Sequence, residues 1–430
     1  MVLERDILKK YILIMFCFFI AEFLVMITNN MIYHIICMIF FSGICVIVSD
    51  FDLMHPYTWF SAFFCLYSIG LPVLTCDGNT HLRAIYTKEL IEIQLLAMFV
   101  ILLVIGPKKI EYKILDKKNN TLNLGLFNKI LYIGLVMTLL GVAVYLSKSG
   151  LGGKASIYEN GSSLLLILFR LPLFLTMLYS LLMICDWEKN EHVSLKTIII
   201  TGIPLFGITL FSGERDFVFR FLIITVIFLF YIGKLKRFHI FLLAPIGIAI
   251  LILSDKYKYF LSSGLIYDSS ESMISKLFAG EFEAASTNLQ IVISQKMSHS
   301  LGLERYILDI ASAFTTKIQS ASSWFSDLFY AGRTVQYGFS IIGEGYVIGG
   351  VVGVIFISVI IGALIRFFYK RACKSVYWYA TYLYFITVTI YAIRMDLGTI
   401  LSAIVKQIGL VLFVVLIAEK LSKKDKVRMQ

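Results

Sequence analysis

What most limits the folds open to this chain is the repetition of hydrophobic runs of roughly 17 to 25 residues, each long enough to cross a hydrocarbon core about 30 Å thick. Such runs begin near Tyr11, Met31, Thr58, Glu89, Phe127, Ser163, Lys196, Phe217, Phe238, Phe339, Val376 and Gly398. They predict about twelve transmembrane helices. With 59% apolar and 16% charged residues, the composition lies outside that of soluble domains, and the expected fold class is an all-α integral membrane protein. Three parts follow. Residues 1–255 carry spans one to nine, 256–337 form one long polar and aromatic loop, and 338–430 carry spans ten to twelve with a tail.

Basic residues set the orientation, because short loops rich in Lys and Arg stay on the cytoplasmic side. Arg5, Lys9 and Lys10, the stretch Lys108 to Lys118, Lys234 to Arg237, Arg366 to Lys374 and Lys420 to Arg428 all fall on one side of the alternating spans. Both termini are therefore expected in the cytoplasm and the long loop outside it. The net charge of +11 then reflects topology, and nucleic acid is not an expected partner. Tyr11 to Ile27 has no small-residue cleavage site behind it and reads as a retained helix. None of the seven cysteines lies in the long loop, so no disulfide framework is expected. The histidines, His34, His55, His81, His192, His239 and His299, have no second ligand at metal spacing, and no metal site is expected.

The short outer turns hold charges that membrane position makes costly. Ser212-Gly213-Glu214-Arg215-Asp216 leads into span eight; three charges at a membrane face are retained only where paired or used. Arg215 is either an interfacial anchor paired with Glu214 or Asp216, or an anion ligand whose rigid fork of donors matches phosphate oxygens. Arg220 stands four residues after Asp216, at helical spacing. Arg394-Met395-Asp396 joins spans eleven and twelve on the same outer side, and Arg215 and Arg394 are expected to converge on one anionic group. Ser149 to Lys154, leading to Tyr158, has a phosphate-loop look. It lacks the hydroxyl residue after the lysine and the preceding strand, and reads as a flexible turn. Asp50-Phe51-Asp52 falls on the cytoplasmic side and reads as a solvated turn.

Within the long loop, Ser272 to Phe278, Ala284 to Ser294 and Tyr306 to Ile318 show apolar residues at three-to-four spacing, which predicts short amphipathic helices on the membrane surface. Tyrosines and Trp324 there suit both a lipid interface and the faces of sugars. Three acids stand out: Glu281 and Glu283, and Glu344 in the first turns of span ten. An ionisable group near membrane depth is a functional candidate; the bland alternative pairs Glu344 with Arg333. The run Gly345, Gly349, Gly350, Gly353 reads as a small-residue face for close helix packing.

Ser-Gly-Glu-Arg-Asp at 212–216, Gly-Glu-Phe at 280–282, Gly-Phe-Ser with Gly-Glu-Gly-Tyr and the glycine run at 338–353, and Arg394 in the penultimate loop together resemble the Wzy-type O-antigen and capsule polymerases of bacterial inner membranes. The resemblance implies a GT-C-like helical glycosyltransferase with its chemistry at the periplasmic face. It also implies transfer of a growing glycan from undecaprenyl pyrophosphate to the non-reducing end of a lipid-linked repeat unit, without cofactor or metal, and a chain-length-determining co-polymerase as partner. Cations stabilise a departing pyrophosphate, for which Arg215 and Arg394 are first choices and Arg220, Arg305 and Arg333 reserves. The acceptor hydroxyl needs a base, Glu281 or Glu344, with His299 below them. An O-antigen ligase and a lipid-linked oligosaccharide flippase or transporter remain the alternatives. The ligase reading expects a histidine in the large loop, where His299 stands alone; the transporter reading expects repeated halves, which one long loop makes unequal.

Overall fold

The computed structural model describes residues 2–79, 82–110, 124–149, 171–190, 193–240, 272–279, 281–315, 318–331 and 338–428, with scattered positions between 242 and 260. Every regular element among them is helical: α1 (Val2–Ile27), α2 (Met31–Val48), α3 (Pro56–Cys76), α4 (Lys88–Ile105), α5 (Leu124–Ser149), α6 (Leu171–Asn190), α7 (Leu195–Ser212), α8 (Asp216–Tyr231), α9 (Met273–Phe278), α10 (Glu281–Ser294), α11 (Glu304–Ser312), α12 (Ala321–Phe329), α13 (Ile341–Arg371), α14 (Val376–Ala392), α15 (Leu397–Ala403), a π-helical turn (Ile404–Gly409) and α16 (Leu410–Arg428). Six helical stretches among the described residues are long and apolar enough to cross a membrane: Arg5–Ile27, Met31–Val48, Pro56–Cys76, Leu171–Glu188, Ile341–Arg371 and Leu397–Lys420. The all-α membrane class stands on these. The ninth expected span, from Phe238, and the turn carrying Lys154 and Tyr158 fall largely or wholly outside the described residues.

The chain forms two compact units. The first comprises Met1–Ile110, Ser269–Lys370 and Val388–Leu401, the second Glu111–Asp268, Arg371–Thr387 and Ser402–Gln430. Helices α1 to α4 make the frame of the first unit, and its two ends differ in chemistry. At one end Lys10 reaches the carbonyl of Val48 at 2.8 Å and Asp50 at 3.5 Å, Lys109 lies 3.4 Å from Asp52, and Arg366 donates to the carbonyl of Val104 at 2.9 Å. The Asp50–Asp52 turn is a surface turn, as its sequence suggested, with Asp50 and Phe51 at positive φ. At the other end Lys88 donates to the carbonyl of Met26 at 2.9 Å, and Ser272 and Ser275 donate to Asp77. The basic loops thus gather at one end of this unit and the long-loop helices at the other.

The loop helices are not simply laid on a surface. Helix α10 begins at Glu281, earlier than its apolar spacing suggested, and packs along α3: a Cβ on Gly70 would lie 2.6 Å from the carbonyl of Phe282, so only glycine lets the two backbones approach this closely. Pro72 removes one N–H from α3, and next to it the Leu71 N–H donates to Ser286 at 2.9 Å. Phe282, Leu289, Val292 and Ile293 are buried, and so are Asn288 and Gln290. This helix belongs to the protein interior, which corrects the membrane-surface expectation. Helix α11 stops at Ser312 rather than near Ile318, and α12 is an element that the apolar spacing did not mark.

Span ten also departs from expectation. Helix α13 breaks at Gly349 (φ −151°, ψ 26°) and Gly350 (φ 55°, ψ −141°), and its arms turn back on each other. A Cβ on Gly345 would lie 2.7 Å from the carbonyl of Gly353 and 2.7 Å from Ile357. The glycine run therefore has two roles. Gly345 and Gly353 are the close-packing face between the arms, while Gly349 and Gly350 make the reversal. Residues 341–348 form a short arm carrying Glu344, and residues 351–371 are long enough to span, about 30 Å at 1.5 Å per residue.

In the second unit the Tyr179 ring packs 4.7 Å from that of Phe221, its hydroxyl pairs with Thr225 at 2.9 Å, and the Ser180 hydroxyl donates to the carbonyl of Ala380 at 3.3 Å. The π-turn offers Gln407 to the Tyr384 hydroxyl at 2.7 Å.

The break at 349–350 makes a paired prediction. Gly350→Ala forces a side chain into a left-handed conformation, expected to cost on the order of 1–3 kcal/mol. Gly349→Ala, at negative φ with nothing within 4 Å of a Cβ, is expected to be near neutral. Melting temperatures of the two variants in detergent check this.

Candidate functional site

Polar groups converge where α11, α12, the short arm of α13 and α15 meet, in the first unit. Glu344 and Asp309 are 0% exposed and Asp396 is 1% exposed. Three carboxyls so buried need donors, and helix starts supply most of them. Glu344 Oε2 accepts the Leu397 N–H at 2.7 Å. Asp396 Oδ2 accepts the Ser322 N–H at 2.9 Å, and its Oδ1 accepts the N–H and hydroxyl of Thr399 at 2.8 and 2.6 Å. Asp396 therefore caps the starts of two helices at once. Gly398 sits against the cluster: a Cβ there would lie 3.2 Å from Asp309 Oδ1 and 3.6 Å from Asp396 Oδ1.

Arg305 brings a positive charge into this group. Its Nε and Nη2 donate to Asp309 Oδ1 at 3.0 and 2.6 Å, and its Nη1 donates to the carbonyl of Gln319 at 2.7 Å. The pair sits one helical turn apart on α11, whose opposite face carries exposed Ile307 and Ile310, with exposed Leu303 and Phe314 flanking the helix. The helix is amphipathic in the inverted sense, its ion pair inward and its apolar side outward. Glu344 and Asp309 lie within hydrogen-bonding reach of each other, and Glu344 Oε1 and Asp309 Oδ2 have no other donor. One proton between the two carboxyls satisfies both oxygens, as for any carboxylate pair sharing a site. Burial, with the charge of Asp396 adding to it, pushes the Asp309 carboxyl up from its ordinary value against the pull of the Glu344 hydrogen bond and of Arg305. Among the described residues no group of three or more acids, histidines or cysteines is placed to hold a metal ion.

A protein-family model described as "O-antigen polysaccharide polymerase Wzy" matches residues 7–425, nearly the whole chain. The chain belongs to the Wzy family. No curated protein and no solved structure matches it. Membership makes it a multi-pass membrane protein of the O-antigen polymerases, which act on lipid-linked oligosaccharides.

Several residues singled out in this Wzy sequence meet in one place. Glu344 and Arg305 are in the cluster itself. Arg394 is two residues from Asp396, half-buried, with its guanidinium 4.9 Å from the ring of Tyr391. Its turn is held to the start of α13 by the Ile341 N–H, which donates to the carbonyl of Ile393 at 3.2 Å. Arg215 and Arg220 belong to the second unit. Gly213 closes α7 in the left-handed conformation (φ 69°), Arg215 is buried at the N-cap of α8, and Arg220 donates from Nε to Asp216 at 2.8 Å, the pairing that helical spacing suggested. Arg220 also lies 5.7 Å from the Tyr384 ring. Glu281 opens α10, and its side chain, like the whole of Arg333, lies outside the described residues; Glu344 is partnered by Leu397 and Asp309. His299 is exposed in a turn at positive φ (67°).

Asp309 was not among the residues that the sequence marked, and Asp396 entered only as the neighbour of Arg394. The available signal was the i, i+4 spacing of Arg305 and Asp309 on a face free of apolar residues, but such a face ordinarily points to water. Two outcomes are expected. Arg305→Ala strips the buried Asp309 of its cation and should cost about 3–5 kcal/mol, read from melting in detergent. Because the folded-state value of Asp309 is raised, its contribution is complete below the unfolded value and is lost as pH rises through the folded one. The wild type should therefore gain stability as pH falls through the raised folded-state value toward that of a free carboxyl, and Asp309→Asn should flatten that gain.

Proposed function

We propose that this Wzy protein polymerises lipid-linked oligosaccharide repeat units, moving a growing glycan from undecaprenyl pyrophosphate to the non-reducing end of a new lipid-linked unit. The observation that carries the reading is the fully buried Glu344–Asp309 carboxyl pair, placed where α12, the Arg394 turn and the starts of two helices meet. In this reading the acceptor hydroxyl oxygen attacks the anomeric carbon of the donor sugar, and the bond from that carbon to the pyrophosphate oxygen breaks. The hydroxyl proton passes to Glu344, the base, so that the Glu344–Asp309 pair goes from one shared proton to two. Arg305 keeps Asp309 in register. Proton transfer of this kind contributes typically 10²- to 10⁴-fold.

Arg394 is the first choice to stabilise charge on the leaving pyrophosphate, since its turn also carries Asp396. Arg215 and Arg220, at the start of α8, are proposed as further pyrophosphate ligands, with Arg333 in reserve; a fixed cation in a dry site is commonly worth a few kcal/mol in a transition state. Glu281 remains the alternative base. The wider reading is a GT-C-like protein of about twelve spans, divided at residues 255 and 337, in the bacterial inner membrane. The end of the first unit that gathers the loop helices faces the periplasm, and both termini face the cytoplasm. Described helices stand at every expected span but the ninth, and Lys10, Lys109 and Arg366 of the first unit lie at the end away from the loop helices. A chain-length-determining co-polymerase is the proposed partner.

The test is the glycan ladder on a gel from a strain lacking this protein, complemented with wild type or variants of checked membrane expression. The null strain is expected to give only a single-repeat band. Glu344→Gln, Arg394→Ala and Arg215→Ala should be expressed without restoring the ladder, with initial rates in membranes lowered by on the order of 10²-fold or more. Single repeats that never reach the outer face in the null strain would point to a flippase, and full-length polymer left on its lipid carrier would point to a ligase.

A further inference from the structure

A cavity of about 600 Å³ opens at the loop end of the first unit, between the α3–α4 connection, the end of α10 and the end of α12. Its size lies within the range of small-molecule sites, ~300–1,000 Å³. The wall combines the aromatic pair Phe329 and Tyr330 with Arg83, Ser294 and Gln295, and Ile85 at the mouth. Arg83, Ser294, Gln295 and Ile85 are exposed side chains, so their polar and apolar groups meet whatever enters. Flat rings beside N–H and O–H groups suit a pyranose, which presents C–H groups on its faces and hydroxyls around its edge.

Two structural links join this cavity to the carboxyl cluster. Helix α12 touches both: at its start the Ser322 N–H is bound to Asp396, and at its end Phe329 lines the cavity. The seven-residue step from Ser322 to Phe329 places the two about 10 Å apart along the helix axis, the length of a few sugar rings at most. The second link runs through side chains. The Tyr330 hydroxyl donates to Asn288 Oδ1 at 2.9 Å, Asn288 Nδ2 donates to the carbonyl of Gly338, and Gly338 is packed against the backbone of Arg394. The cavity wall and the turn carrying Arg394 and Asp396 are thus held in fixed register.

We propose that this cavity is a sugar subsite for the acceptor: it holds a pyranose of the lipid-linked repeat unit one or two rings away from the hydroxyl that reacts at Glu344. The subsite rests on the reading of Glu344 as base, and it gives the enzyme a place to read the acceptor's second or third sugar. Gln295 contacts ring hydroxyls, Arg83 reaches them from its place 4.9 Å over the Tyr330 ring, and Phe329 forms the wall behind the ring.

The experiment uses the full chain in lipid nanodiscs and lipid-linked repeat units extracted from the strain lacking this protein. Acceptor concentration is varied at saturating polymer-linked donor. Gln295→Trp and Ile85→Trp, both at exposed lining positions, fill the cavity without touching the core. They are expected to raise the acceptor KM by tenfold or more with kcat within about twofold of wild type. Gln295→Ala, which loses one hydrogen-bonding group, should raise KM about five- to tenfold. Unchanged KM in both tryptophan variants, alongside a collapsed kcat in Glu344→Gln, overturns the subsite and leaves the base in place. A raised KM with Glu344→Gln fully active keeps the subsite and removes Glu344 from the reaction.

Discussion

Three carboxyls withdrawn almost wholly from water hold the first unit together at its loop end, because none can remain there without donors. Asp396 draws on the first N–H groups of α12 and α15, and Glu344 draws on the N–H of Leu397. Asp309 draws on Arg305 of its own helix. The elements that supply these donors come from distant parts of the chain, so the need to satisfy one cluster docks the long loop onto the last spans. A helix start is well suited to the task, since its leading N–H groups have no intrahelical acceptor and carry the positive end of the helix dipole. One oxygen on Glu344 and one on Asp309 are left to each other, which makes the pair a place where a proton is held.

The glycines of α13 make this possible. Were α13 continuous, Glu344 would continue the line of a spanning helix. The reversal at Gly349 and Gly350 instead lays residues 341–348 back along the longer arm, close enough for the backbones at Gly345 and Gly353 to touch. Backbone freed by such a break is tolerated near a membrane only where protein surrounds it, and the Val347 carbonyl is taken up by the Leu301 N–H at 3.0 Å. The same loop that brings Asp309 therefore also stabilises the reversal that presents Glu344. In a Wzy polymerase this puts a dry acidic site beside the aromatic, hydroxyl- and amide-lined cavity at the end of α12.

How far this was legible beforehand follows from what each feature depends on. Helix positions depend on local hydrophobicity, and α2, α3, α7 and α8 stand where the apolar runs stood. Arg220 pairs with Asp216 because a helix always brings i and i+4 together. Glu344 was marked because a lone acid beside an apolar run is costly wherever the run is placed. Asp309 was not, since a polar pair on one face of a short helix has the same pattern whether that face meets water or a buried carboxylate. Helix α10 read as a surface helix for the same reason: its Ser, Thr, Asn and Gln side chains find partners inside the protein, and hydrogen-bonding capacity does not reveal where the partner is.

The sequence by itself determined the membrane class, the positions of most long helices and the family, because these rest on hydrophobicity and short motifs that act along the chain. Tertiary structure alone decided which acids share a proton, which way α11 turns its polar face, that span ten folds back on itself, and that α12 connects the acids to a cavity. Those outcomes depend on where buried polar groups find donors and on how closely two backbones approach. Both quantities exist only once the chain has folded and separate segments have been packed together.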